Sequence, residues 1–177
     1  MLPFWLQHQK AVTGRIMLDR TDDRGGHVDM EAGSPAAPGP APTLLVIDDD
    51  TVHRMILCKV GARAGYEAVG AASYEEAVRL LDGRSYAVIT LDLTLGEHGG
   101  AEVLHAIAAM DLKTPIIIVS GSNETIRRET AAMANLLSLN VVQTLPKPVD
   151  LAHLRRLLAE LQQRKAIGLA PLGWHVA

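Results

Sequence analysis

The sequence predicts an α/β domain built on a parallel sheet with helices on both of its faces. Three observations carry that prediction. Short, nearly continuous apolar runs recur along residues 43–165, each bounded by turn residues. Segments of helical length, capped or amphipathic, separate them. The runs are apolar at consecutive rather than alternate positions, which is how strands buried on both faces read. Strict alternation of strand and helix then builds βαβ units.

Leu44-Leu45-Val46-Ile47 is the first run, and three aspartates end it. Residues 52–64 read as a helix, which Asp50 or Thr51 can cap. Capping is favoured over metal binding for Asp50. Residues 66–71 are a weak strand. Ser73 opens a capping-box pattern, with Glu76 at its third position, for a helix reaching to near Leu81. Tyr86 to Leu91 is the third strand. Gly99-Gly100 breaks the chain, and a helix runs from there to near Met110. Pro115 opens the strand Ile116–Val119. A helix covers Asn123 to Leu139, with Ser122 a candidate for its cap. Val141 to Leu145 is the fifth strand. Asp150 caps a last helix whose apolar stripe is Leu151, Leu154, Leu157, Leu158 and Leu161. That stripe is first of all core. Right-handed crossovers leave few topologies for such a chain, and a flavodoxin-like order of 2-1-3-4-5 suits its size best.

Three segments divide the 177 residues. Residues 1–42 lack periodicity and end in a Pro/Ala/Gly linker, so they read as a flexible N-terminal arm. Met17 and Met30 are alternative starts within it. The alternative is a docking or dimerisation arm using Phe4, Trp5 and Leu6. Residues 43–165 form the domain, and 166–177 are a short tail carrying Trp174, which folds back or meets a partner. The net charge of -3, with no basic block, gives nucleic-acid binding no electrostatic support. No apolar run approaches the roughly 20 residues of a membrane span. Cys58 is the single cysteine, so no internal disulfide forms and a reduced, cytoplasmic setting is expected. It reads as a small core residue rather than a redox sensor.

In an open parallel sheet, ligands bind at the carboxyl ends of the strands. Strand 1 delivers Asp48, Asp49 and Asp50 to that rim, strand 3 Asp92, strand 4 Ser120, and strand 5 Lys147 followed by Pro148. Clustered carboxylates repel unless a cation compensates them. An all-oxygen set without cysteine points to Mg2+ rather than zinc. A carboxylate beside Mg2+ and a lysine can attack phosphorus and form an aspartyl phosphate. The cation, the lysine and a hydroxyl then hold the equatorial oxygens.

Four motifs, in order at these strand ends, resemble the receiver domains of two-component response regulators. They are Leu44 to Asp50, Val88 to Leu95, Ile116 to Ser122, and Leu145-Pro146-Lys147-Pro148. The resemblance covers residues 43–165. It implies that Asp92 is the phosphoacceptor. Asp49 would bind Mg2+ directly, Asp48 through water, and the Thr94 backbone carbonyl would be a further ligand beside Asp92. Ser120 would shift toward the phosphoryl group, and Lys147 would pair with Asp92 and then with the phosphate. Pro148 matches a proline usually preceded by a cis bond.

The pattern is broken in places. Gly96 stands where the family usually has proline, and Gly99 where it has aspartate, so the loop after Asp92 should be more flexible. Thr144 stands where the family usually has tyrosine or phenylalanine. An aromatic rotation coupled to Ser120 then has no ring to carry it. The segment from Ser120 to Lys147 is longer than usual by about one helical turn. His53, His98 and His153 show no metal-ligand spacing and read as solvated side chains.

The resemblance implies a response regulator, not an enzyme acting on other substrates, that catalyses only its own phosphorylation and dephosphorylation; with no block after residue 165 large enough for an output domain, a single-domain type is expected. A sensor histidine kinase or a histidine phosphotransfer protein would supply the phosphoryl group to Asp92. Output would follow through a protein partner or by relay, with a homodimer left open and with no nucleic acid or membrane partner. Two rival readings stand beside it. Asp48-Asp49-Asp50-Thr51-Val52 also suits a phosphatase of the haloacid-dehalogenase type with Asp48 as nucleophile, but Asp92 then has no role. A degenerate receiver, folded but unphosphorylated, would serve as an interaction module.

Overall fold

A computed structural model of the chain describes residues 40–96, 99–121 and 123–168. The readings placed on Phe4, Trp5, Leu6, Met17, Met30, His98, Ser122 and Trp174 lie outside the described residues. Five strands and five helices alternate: β1 Thr43–Ile47, α1 Thr51–Arg63, β2 Glu67–Ala71, α2 Tyr74–Gly83, β3 Val88–Asp92, α3 Gly99–Ala109, β4 Ile116–Ser120, α4 Glu124–Leu136, β5 Val141–Pro146 and α5 Leu151–Ala166. The strands form one sheet of order β2-β1-β3-β4-β5, and every neighbouring pair is parallel. This is the predicted flavodoxin-like topology.

Consecutive apolar residues along the central strands serve opposite faces. Leu45, Ile47, Ile89, Leu91, Ile116 and Ile118 join Ala77, Leu81, Val103, Leu104, Ile107 and Ala134 from α2, α3 and α4. Leu44, Val46, Val88, Ile117 and Val119 join Leu57, Val60, Leu154, Leu157, Leu158 and Leu161 from α1 and α5. Both faces are dry, which is why these strands read as unbroken runs. Cys58 sits half-buried against the second cluster, and burial pushes its thiol up, away from the reactive thiolate.

The helices start on side-chain caps. Asp50 accepts from the His53 amide, Asn123 from that of Ile126, and Asp150 from those of Ala152 and His153. Ser73 accepts from the Glu76 amide at 3.3 Å, while the Glu76 carboxylate returns to the Ala72 amide at 2.8 Å. Four predicted details need correction. Leu151 is 41% exposed, because it stands in the first turn of α5 before the helix meets the sheet. Tyr86 is buried but precedes β3, which begins at Val88. Gly99 and Gly100 form the first turn of α3 rather than a break before it. Helix α4 stops at Leu136, where Ser138 takes φ 55° and the Leu139 amide donates back to the Ala134 carbonyl.

Tyr66 ties the α1–β2 turn to α5: its hydroxyl donates to the Leu158 carbonyl at 2.8 Å, and burial pushes the phenol up to about 12. Tyr66→Phe should cost about 1 kcal/mol in urea melts at neutral pH. A raised phenol stabilises the fold fully below pH about 10, its unfolded value, and loses that contribution as pH rises toward 12. Wild type should therefore lose stability over that window more steeply than Tyr66→Phe.

Candidate functional site

The strand registers assemble the site. Ile47 lies opposite Leu91, so the next residues, Asp48 and Asp92, emerge side by side at the carboxyl ends of β1 and β3. Asp92 faces Val119 on β4, and Ser120 faces Pro146 on β5, one residue before Lys147. The Lys147 amide donates to the Ser120 carbonyl at 3.0 Å, fixing where the lysine leaves the sheet. The following Lys147–Pro148 bond is cis.

Asp48 is 1% exposed and Asp92 3% exposed, whereas Asp49 is open to solvent. Oxygens from the three carboxylates lie within 4.8 Å of one another. One ammonium serves the buried two: Lys147 Nζ stands 2.7 Å from Asp92 Oδ2 and 3.1 Å from Asp48 Oδ2. Burial works against that charge, but the hydrogen bonds and charges of Asp92 and Asp48 outweigh it and raise the lysine above its ordinary value. The second Asp92 oxygen accepts the Thr94 amide at 3.0 Å. Asp48 Oδ1 accepts the Asp50 amide at 2.9 Å.

Three carboxylates against one lysine leave the cleft acidic. Its side-chain donors are oxygens at a spacing one cation can span, a set that suits Mg2+. Asp50 is spent on capping α1 and faces the helix instead. Ser120 is wholly buried at the end of β4. Thr144 stands on β5 opposite Ile118 of β4. It lines a groove of about 650 Å3 between α4, β5 and α5, with Arg127, Ala131, Gln143 and His153.

Two side chains at the cleft carried no signal in the sequence. His53 was expected in solvent, yet its side chain is only 21% exposed and its Nδ1 meets Asp48 Oδ2. Arg54 donates to the backbone carbonyls of Asp48 at 2.6 Å and Asp49 at 3.3 Å, gripping the acidic turn from behind. His153 likewise pairs with Gln143 Oε1 at 3.2 Å rather than with water alone. Gly96 adds a bond that the proline usual at its place could not make: its amide donates to Asp49 Oδ2 at 3.2 Å, from φ 50°.

A doubly wound parallel sheet with a buried carboxylate pair and a shared lysine at its carboxyl rim defines the class. The family model for the response regulator receiver domain matches residues 44–159, more than half of the chain, and the chain belongs to that family. Such domains are the phosphoacceptor signalling modules of two-component systems, not enzymes in the usual sense. The acid tolerance regulatory protein ActR of Sinorhizobium medicae is 29% identical over 75% of this chain and 64% of its own. The regulatory protein VirG of Agrobacterium fabrum is 28% identical over 72% and 49%. The chain thus spans about half to two thirds of the length of these curated relatives. The Francisella response regulator 1452 receiver domain shares the fold, with a TM-score of 0.61 at 23% identity, over 70% of this chain and 98% of that one.

Proposed function

We propose that this chain is the receiver of a response regulator in which Asp92 accepts a phosphoryl group from a phosphohistidine. A sensor histidine kinase or a histidine phosphotransfer protein would carry that histidine. An Asp92 carboxylate oxygen forms the new P–O bond, the P–N bond breaks, and its electron pair stays on the donor imidazole. Mg2+, when bound, neutralises the acidic pair and the phosphoryl oxygens; Asp49, Asp48, Asp92 and the Thr94 carbonyl would hold it. Lys147 passes from the Asp92 carboxylate to the phosphoryl group, and Ser120 donates to a second phosphoryl oxygen. Pro148 closes the turn that carries Lys147.

The observation that carries this reading is the bridge from Lys147 to Asp92 and Asp48, two carboxylates otherwise buried together. Residues 43–165 are the switch, 1–42 an arm and 166–177 a tail. Output passes to a protein partner, by relay or through a homodimer. With Thr144 in place of an aromatic, no ring rotation transmits the Ser120 shift. No described helix is long and apolar enough to cross a membrane, and a cytoplasmic setting suits a kinase-fed switch.

Purified protein incubated with acetyl phosphate and Mg2+ should gain the mass of one phosphoryl group, and EDTA should abolish that gain. If neither acetyl phosphate nor a phosphorylated histidine phosphotransfer protein labels it, the degenerate-receiver reading takes its place.

A further inference from the structure

One ammonium is divided between two buried carboxylates at this site, Asp92 and Asp48. On the reading given above, Lys147 passes from Asp92 to the phosphoryl group, which draws it away from Asp48 as well. Among the described residues, Asp48 then keeps the Asp50 amide on Oδ1 at 2.9 Å and the imidazole of His53 on Oδ2. Asp48 is 1% exposed, so these protein donors set the orientation in which its carboxylate meets the cation site.

The backbone places the imidazole for that task. The Asp50 carboxylate accepts the His53 amide at 2.7 Å, which fixes His53 in the first turn of α1. From there the ring folds back over the end of β1, against a residue five positions earlier. Arg54, next along the helix, is committed to the Asp48 and Asp49 carbonyls, so it does not serve the Asp48 carboxylate.

We propose that His53 is a positioning residue for phosphoryl transfer: its Nδ1–H holds the Asp48 carboxylate in place when Lys147 turns to the phosphoryl group. The proposal rests on the assignment of Asp92 and Lys147. It requires the Nδ1-protonated tautomer, because a bare Nδ1 would face the carboxylate lone pairs. A donor of similar reach should replace it. Asparagine places its amide nitrogen near the position of Nδ1, and leucine offers shape without a donor.

The test compares wild type, His53→Leu and His53→Asn by the rate of phosphoryl uptake from acetyl phosphate at saturating Mg2+. Losing a hydrogen bond to a charged group should slow His53→Leu by about tenfold or more. Donor concentration for half-maximal rate should hardly move, and His53→Asn should recover most of the rate. Ring 15N shifts of wild-type His53 should report a protonated Nδ1, a measurement that needs no variant to fold. A bare Nδ1, a His53→Leu rate equal to wild type, or a His53→Asn as slow as His53→Leu would each overturn the proposal. Wild type that takes up no phosphoryl group from acetyl phosphate or from a phosphorylated histidine phosphotransfer protein would overturn the site assignment, and the proposal with it.

Discussion

Asp92→Asn should abolish phosphoryl uptake completely and leave the fold standing. Asparagine keeps the size of the side chain, and its remaining carbonyl oxygen can still accept the Thr94 amide that now stands 3.0 Å from Asp92 Oδ1. The other position changes character. The oxygen that Lys147 holds at 2.7 Å becomes an amide nitrogen, whose lone pair is drawn into the carbonyl and cannot attack phosphorus. Intact mass after incubation with acetyl phosphate and Mg2+ reads the result, and far-ultraviolet circular dichroism checks the fold. Asp48→Asn separates the receiver from the phosphatase reading. Both oxygens of Asp48 are already occupied, by the Asp50 amide, Lys147 and His53. It is placed to support the site rather than to attack, so Asp48→Asn should reduce uptake by weakening the acidic cleft. Uptake that persists in Asp92→Asn and vanishes in Asp48→Asn, with steady phosphate release, would move the nucleophile to Asp48.

Most of this arrangement was legible in the sequence, for a physical reason. Strands buried on both faces must be apolar at every position, so Leu44–Ile47 and Ile116–Val119 declare themselves without any periodicity to decode. Parallel strands also send their carboxyl ends to one rim. The residue that ends or follows such a run is therefore a site candidate, as Asp48, Asp92 and Ser120 are, while Lys147 follows the more mixed strand β5. What stayed hidden depends on local backbone choices. Ser138 ends α4 in a left-handed conformation with no glycine or proline to announce it. The contact between His53 and Asp48 depends on how the first turn of α1 folds back over β1. The hydrogen bond from Gly96 to Asp49 joins residues 47 positions apart. Its donor exists because the usual proline is missing, a substitution that sequence alone reads only as added freedom.

Gly100→Ala should cost about 2–3 kcal/mol in urea unfolding, more than the same change at Gly61. A Cβ at Gly100 would stand 2.4 Å from the Asp92 carbonyl oxygen and 2.7 Å from Leu93 Cα. Both are backbone atoms, held by β3 and by the bond from the Gly100 amide to the Leu93 carbonyl at 2.9 Å. No side-chain rotation relieves that contact, so α3 must lift away from the chain that follows the phosphoacceptor. Gly61 is the internal control. Its Cβ would come equally close, 2.4 Å, but to Leu44 Cδ2, the end of a side chain that can turn aside. Both glycines lie in helices, so alanine gains up to about 1 kcal/mol of helix propensity at each and the difference reports the collision. Gly61→Ala should therefore cost about 1 kcal/mol or less. Gly100→Ala should also slow phosphoryl uptake, because the displaced atoms belong to Asp92 itself and to the residue before Thr94. Gly61→Ala should leave uptake at the wild-type rate. If Gly61→Ala proved the more damaging, or if Gly100→Ala kept full stability and full uptake, the seat of α3 on the Asp92–Leu93 backbone would not be what fixes the phosphoacceptor's position.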